Sequence, residues 1–194
     1  MLNLLVSLLV LLGGISATMS PESKKLELLR VTAESQQSRP AELAYLKAFP
    51  RTYARFHFIF YGGGKPSDCC SELYYQAEEH LNLLKKLSAK YPRTVLGIQL
   101  DVAVNGRWDA DAVGKLQHQL IDYAAAHTRE FAEALSAYPH GQRLTIIAFL
   151  ADMESIVDYA PYQGIIDALQ KQNFRTLAAD FIRSREERQK WHHD

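Results

Sequence analysis

Val95-Leu96-Gly97-Ile98-Gln99-Leu100-Asp101-Val102-Ala103-Val104 can be a strand or a helix, and the fold class turns on which. Ile98, Leu100, Val102 and Val104 alternate with Gln99, Asp101 and Ala103. A period of two rich in β-branched residues is a strand signature. A strand, however, must pair its backbone with a neighbour. The only segments able to partner it are "FHFIF" (56–60) and "TIIAF" (145–149), and both sit inside helical patterns. The expectation is therefore an all-α chain, a helical bundle or a set of stacked helix pairs. An α+β fold with a small sheet involving 95–104 is the alternative.

The flanking sequence supports helices on both sides. Upstream, Leu73, Ala77, Leu81, Leu84 and Leu87 recur every three or four residues, and Tyr91-Pro92 ends that helix. Further upstream, Leu43, Leu46, Phe49, Tyr53, Phe56 and Phe60 keep one face. Pro40 suits a first helical turn, with Ser38 as its cap. Pro50 falls inside this pattern and predicts a kink or a restart, because it removes an intrahelical hydrogen bond. Downstream, Val113, Leu116, Leu120, Tyr123, His127, Phe131, Leu135 and Tyr138 predict one long helix over 109–138. Pro139-His140-Gly141 stops it. "RLTIIAFLA" is apolar on all sides and predicts a central, buried segment. Pro161 opens a helix, and Phe174, Leu177, Ala178, Phe181 and Ile182 mark the last one.

The start of the chain is set apart. Leu4 to Leu12 is almost purely aliphatic, and Ile15-Ser16-Ala17 resembles a small-x-small cleavage site. The run is short against the roughly 20 apolar residues that span a bilayer. We expect a cleaved signal peptide over 1–18, a single helical domain over 19–194, and a periplasmic or secreted protein. An uncleaved N-terminal anchor is the alternative, because no Lys or Arg precedes the run.

The chain has 194 residues with 22 basic and 22 acidic side chains, so no net field draws nucleic acid to it. Its two cysteines are too few for a disulfide-built scaffold. They stand side by side in "FYGGGKPSDCC" (60–70). The glycine run there is not a phosphate loop: Ile59 occupies the position of the first glycine, and Pro66 the position of the hydroxyl that holds Mg²⁺. Ser67 or Asp68 would cap a new helix, placing Cys69 and Cys70 in its first turn. The helix dipole lowers thiol pKa values there, which makes the pair redox-sensitive candidates. A ring closed between adjacent cysteines is strained, and a metal site needs more ligands. No cofactor-binding or metal-ligating pattern is expected elsewhere. His57 and His118 are isolated, His80 follows Glu78-Glu79 without a ligand spacing, His127 reads as a core residue, and His192-His193 are terminal.

The densest polar and aromatic feature is "VNGRWDADAV" (104–113). Asn105-Gly106 predicts a turn, Asp109 a helix cap, and Asp111 a carboxylate in the first turn. Arg107, Trp108, Asp109 and Asp111 are then the candidate partner-binding residues, because Trp and Arg are the types that anchor interfaces. As a catalytic pair the two aspartates are poorly spaced, being two residues apart.

"AYLKAFPRTYARF" and "GRWDADAVGKLQHQL" resemble phrases of small exported bacterial proteins of helical type, over about half the chain. The resemblance implies export and helices, and no activity. The sequence thus favours an exported, non-enzymatic helical protein that binds another macromolecule, a protein rather than nucleic acid, of inhibitor or immunity type. It would meet a membrane only through an uncleaved N-terminal segment. The alternative is an envelope hydrolase using Asp101, Asp109 or Asp111 with a histidine from elsewhere, which requires carboxylate and imidazole to converge.

Overall fold

The structure is a computed structural model that describes residues 19–61, 72–109, 111–153 and 159–191. The predicted signal peptide, Cys69 and Cys70 lie outside the described residues, as do His192-His193. Ten α-helices and one 3₁₀ turn make up the described chain, with no strand among the described residues. The chain is all-α, as expected. No helix among the described residues is long and apolar enough to cross a membrane.

The chain divides into two compact units, one ending at Ala48 and the other running from Phe49. The first holds α1 (Pro21–Gln36) and α2 (Arg39–Ala48), which pack on each other. Ser20 caps α1, its hydroxyl accepting from the Ser23 N–H at 3.2 Å. Pro21 fits the first turn, where a missing N–H costs nothing. Arg30 reaches both Glu27 and Glu34 on the same helix, at 2.6 Å each. Tyr45 of α2 is fully buried, and burial pushes its phenol well above the ordinary value. Leu43, read from its spacing as part of an apolar face, is exposed.

The second unit begins where Pro50 interrupts the pattern. The chain restarts as α3 (Tyr53–Phe60), capped by the Thr52 hydroxyl. Phe49, Phe56 and Phe60 form one aromatic cluster, with ring centroids 5.0 to 6.2 Å apart. A 3₁₀ turn over Tyr74–Gln76 leads into α4 (Ala77–Ser88), whose Leu81, Leu83, Leu84 and Leu87 are buried.

The deciding stretch is helical: α5 spans Pro92–Ala103. A small sheet over 95–104 is thereby excluded. The strand-like alternation has a packing cause. Val95, Leu96, Ile98, Gln99, Leu100, Val102 and Ala103 are all buried. α5 packs against α3, α4, α6, α7 and α8, so apolar residues are needed nearly all round it.

The long helix expected over 109–138 is two: α6 (Ala112–Ala126) and α7 (Thr128–Ser136). His127 breaks it with φ −129° and ψ 46°. The Thr128 hydroxyl donates to the Ala124 carbonyl at 2.9 Å, taking the acceptor that the Thr128 N–H would use in an unbroken helix. His127 is consequently exposed rather than in the core. Helices α8 (His140–Ala151), α9 (Ala160–Lys171) and α10 (Arg175–Trp191) complete the unit. Pro161 lies in the first turn of α9. The middle of α8 is buried at Ile146, Ile147, Phe149 and Leu150, but Ala148 is exposed. α6 touches α4, α5, α7, α8 and α9, which makes α5 and α6 the two most surrounded helices.

Candidate functional site

The connection between α5 and α6 carries the four partner-binding candidates. It leaves α5 through a tight turn, with the Gly106 N–H donating to the Ala103 carbonyl at 3.0 Å. Asn105 adopts φ 56°, a left-handed conformation that Asn tolerates better than most residues. Its N–H donates to the Thr145 hydroxyl of α8 at 3.2 Å. Gly106 is required for space: a Cβ there would lie 2.6 Å from Cδ2 of the buried Phe149 ring.

Trp108 follows. Its N–H donates to Asp152 Oδ2 at 2.7 Å, and Asp152 Oδ1 pairs with Arg188 of α10 at 2.5 Å. The end of α8 is held from the other side as well. Buried Gln117 of α6 donates from Nε2 to the carbonyls of Phe149 and Asp152. The Phe149 carbonyl also accepts from the Asp152 N–H at 3.2 Å, so the side chain reinforces a backbone closure of the helix end. The Trp108 backbone is thus fastened to a fastened support, while 38% of the residue's surface stays open. Its indole nitrogen sits near Gly114, 4.0 Å from where a Cβ would project. Arg107 is also exposed.

Asp109 and Asp111 do not act as the sequence suggested. α6 starts at Ala112, and neither carboxylate caps it: Asp111 is the cap position, at φ 60°, without a side-chain hydrogen bond to the helix. Asp109 Oδ2 instead lies 3.3 Å from His57 Nε2 on α3. Asp111 Oδ2 accepts from the Tyr74 hydroxyl at 2.8 Å. His57 is flanked by the rings of Tyr53, at 5.6 Å, and Tyr61, at 4.0 Å. Burial raises the Tyr53 phenol above its ordinary value, and the Asp109 charge adds to this, while Arg107 opposes it.

The loop's far end borders a cavity of about 300 Å³. Asp111 contributes from the cap position of α6, Lys115 from α6 itself, Glu78 and Leu81 from α4, and Tyr74 and Tyr75 from the 3₁₀ turn. Lys115 pairs with Glu78 at 2.6 Å, and that hydrogen bond holds the Glu78 carboxyl below the usual range. Tyr75 is 73% exposed. On α3, Phe58 is also exposed, with the Arg55 guanidinium 5.1 Å above its ring.

Chemically, an imidazole beside a carboxylate is the orienting half of a general-base arrangement, which also requires a nucleophile or a positioned water. Sequence reasoning missed His57, Tyr53, Tyr74, Asp152 and Arg188. The one local signal was the i, i+4, i+8 stripe of Tyr53, His57 and Tyr61. Asp101, the third carboxylate considered for a hydrolase, accepts from the Tyr138 hydroxyl and pairs with Arg51. Among the described residues no three His, Cys, Asp or Glu side chains group to hold a metal ion. Comparison with protein-family models, curated proteins and solved structures found no match to this chain.

Proposed function

We propose that this chain is an exported, non-enzymatic protein that binds another protein through the edge formed by Arg107, Trp108, Asp109 and Asp111. The observation that carries the reading is Trp108. A large aromatic is left open on a backbone fastened through Asp152 to Arg188. Such a residue loses little conformational freedom on binding and contributes apolar area, which is what an interface anchor needs. Exposed Tyr75 extends the aromatic character of this surface, because the Tyr74 hydroxyl ties its turn to Asp111. The test is capture of a partner from the cells that make the protein, with Trp108→Ala as the comparison. The reading expects a protein retained by the native chain and lost with the variant. Equal retention by both would count against it.

A second reading rests on the 3.3 Å approach of His57 to Asp109. It makes the chain an envelope hydrolase in which Asp109 orients His57 as general base. Ester, amide and phosphoester substrates test it. Any hydrolysis should fall at least about 100-fold in His57→Gln, the usual scale of general-base catalysis. Absence of hydrolysis removes this reading and leaves the first untouched.

A further inference from the structure

Helices α8 and α10 pack together and border an open pocket of about 320 Å³, whose lining includes none of residues 107–111. Leu144, Ile147 and Ala148 of α8 supply aliphatic walls. Asp180 of α10 lines the same space, and it is the anomaly. The residue is only 6% exposed, yet its Oδ2 is buried with no hydrogen-bond partner among the described residues. A carboxylate withdrawn from water without a donor is strongly disfavoured, so such groups are ordinarily paired. The other two charges of the cavity, Arg183 and Glu187, are of opposite sign and both exposed. Their charges cancel, and Asp180 leaves the pocket lining with a net negative charge.

We propose that this cavity binds a primary ammonium group carried on an aliphatic stem. An ammonium is a compact cation with three donors, suited to a single carboxylate. Its methylene stem would lie along Leu144, Ile147 and Ala148, as amphipathic side chains cover apolar surface while their heads find polar partners. The volume is at the low end for small-molecule sites, enough for a head group and a short chain. The Thr145 hydroxyl also lines the cavity but is committed, donating to the Gln142 carbonyl and accepting from Asn105. The Ser184 hydroxyl lines the pocket too and can accept from the same ammonium, while the Asp180 carboxylate supplies the charge that recognises it. A free alkylamine and a lysine side chain of another protein share this chemistry.

Amide NMR of the full chain titrated with n-butylammonium, neutral n-butanol and an end-blocked Gly-Lys-Gly peptide tests the proposal. We expect saturable shifts centred on Ile147, Ala148 and Asp180 with n-butylammonium, none with n-butanol, and binding weakened by at least about tenfold in Asp180→Asn. Tighter binding of the peptide assigns the ligand to a protein lysine; binding of n-butylammonium alone assigns it to a free amine. Ala148→Leu, at an exposed position of the wall, should fill the space of the stem and abolish binding with the fold intact. The proposal is overturned if neither ammonium compound gives saturable shifts. It is equally overturned if n-butanol matches n-butylammonium, or if Asp180→Asn and Ala148→Leu both bind as the native chain does.

Discussion

The Tyr138 hydroxyl donates to Asp101 Oδ1 at 2.6 Å, joining the second residue past α7 to the last turn of α5. Burial pushes the Tyr138 phenol well up, and the hydrogen bond and charge of Asp101 push it further; Arg51, paired with Asp101 at 3.1 Å, opposes them. Tyr138→Phe removes one hydrogen bond and should lower stability by about 1 kcal/mol. Denaturant midpoints at constant slope check this.

The same phenol sets a pH dependence. Tyr162 and Tyr45 are also raised, in both cases chiefly by burial, and Tyr123 is pushed up to about 12 by burial and by Glu130. An unfolded tyrosine titrates near pH 10, according to its ordinary value. The folded phenols hold their protons beyond that point. Their stabilising contribution is therefore whole below about pH 10 and is lost as pH rises through the folded values. Denaturation midpoints should fall above about pH 10, and Tyr138→Phe should fall less steeply than the native chain. A midpoint unchanged through that range would contradict the burial of these hydroxyls.

Gly106→Ala tests the close approach of the loop to α8. The new methyl would meet the Phe149 ring at 2.6 Å and the Ala103 carbonyl at 3.1 Å. Phe149 is buried and cannot swing aside freely. Overpacking of this kind costs about 1–3 kcal/mol. The substitution should also shift the Trp108 indole fluorescence, since Trp108 lies two residues further along the same loop.

Gln117→Ala removes the donor that serves the carbonyls of Phe149 and Asp152. The Phe149 carbonyl keeps the Asp152 N–H and the Asp152 carbonyl loses this donor, so the loss of the two side-chain bonds should cost about 1 kcal/mol. Hydrogen exchange at the end of α8 should quicken more than exchange in α4. Uniform quickening would mean that Gln117 supports the whole unit and not that helix end.

Helix content and the punctuation at Pro50 and Pro161 were legible in the sequence, because proline and apolar spacing act locally. The stretch 95–104 was ambiguous because α5 is buried on nearly all sides, and a fully apolar helix carries no helical stripe. The break at His127 was hidden for a different reason. It depends on the Thr128 hydroxyl taking one carbonyl, while the apolar spacing runs on through Phe131 and Leu135. Arg107 and Trp108 were visible as an unusual polar and aromatic cluster. The supports of that cluster were not: Asp152 is 44 residues from Trp108, and His57 is 52 from Asp109. Local patterns carry no trace of pairings at such separations. Asp109 was read as a cap and Asp111 as a first-turn carboxylate for the same reason, since their partners, His57 and Tyr74 in turn, come from other elements.

If a fastened, exposed Trp108 anchors a protein partner, the dissociation constant of the captured protein must differ between the native chain and Trp108→Ala, with equal thermal stability verified for both. An interface anchor predicts a loss of about 2 kcal/mol or more, which is roughly 30-fold in affinity. An affinity unchanged by Trp108→Ala would contradict the claim.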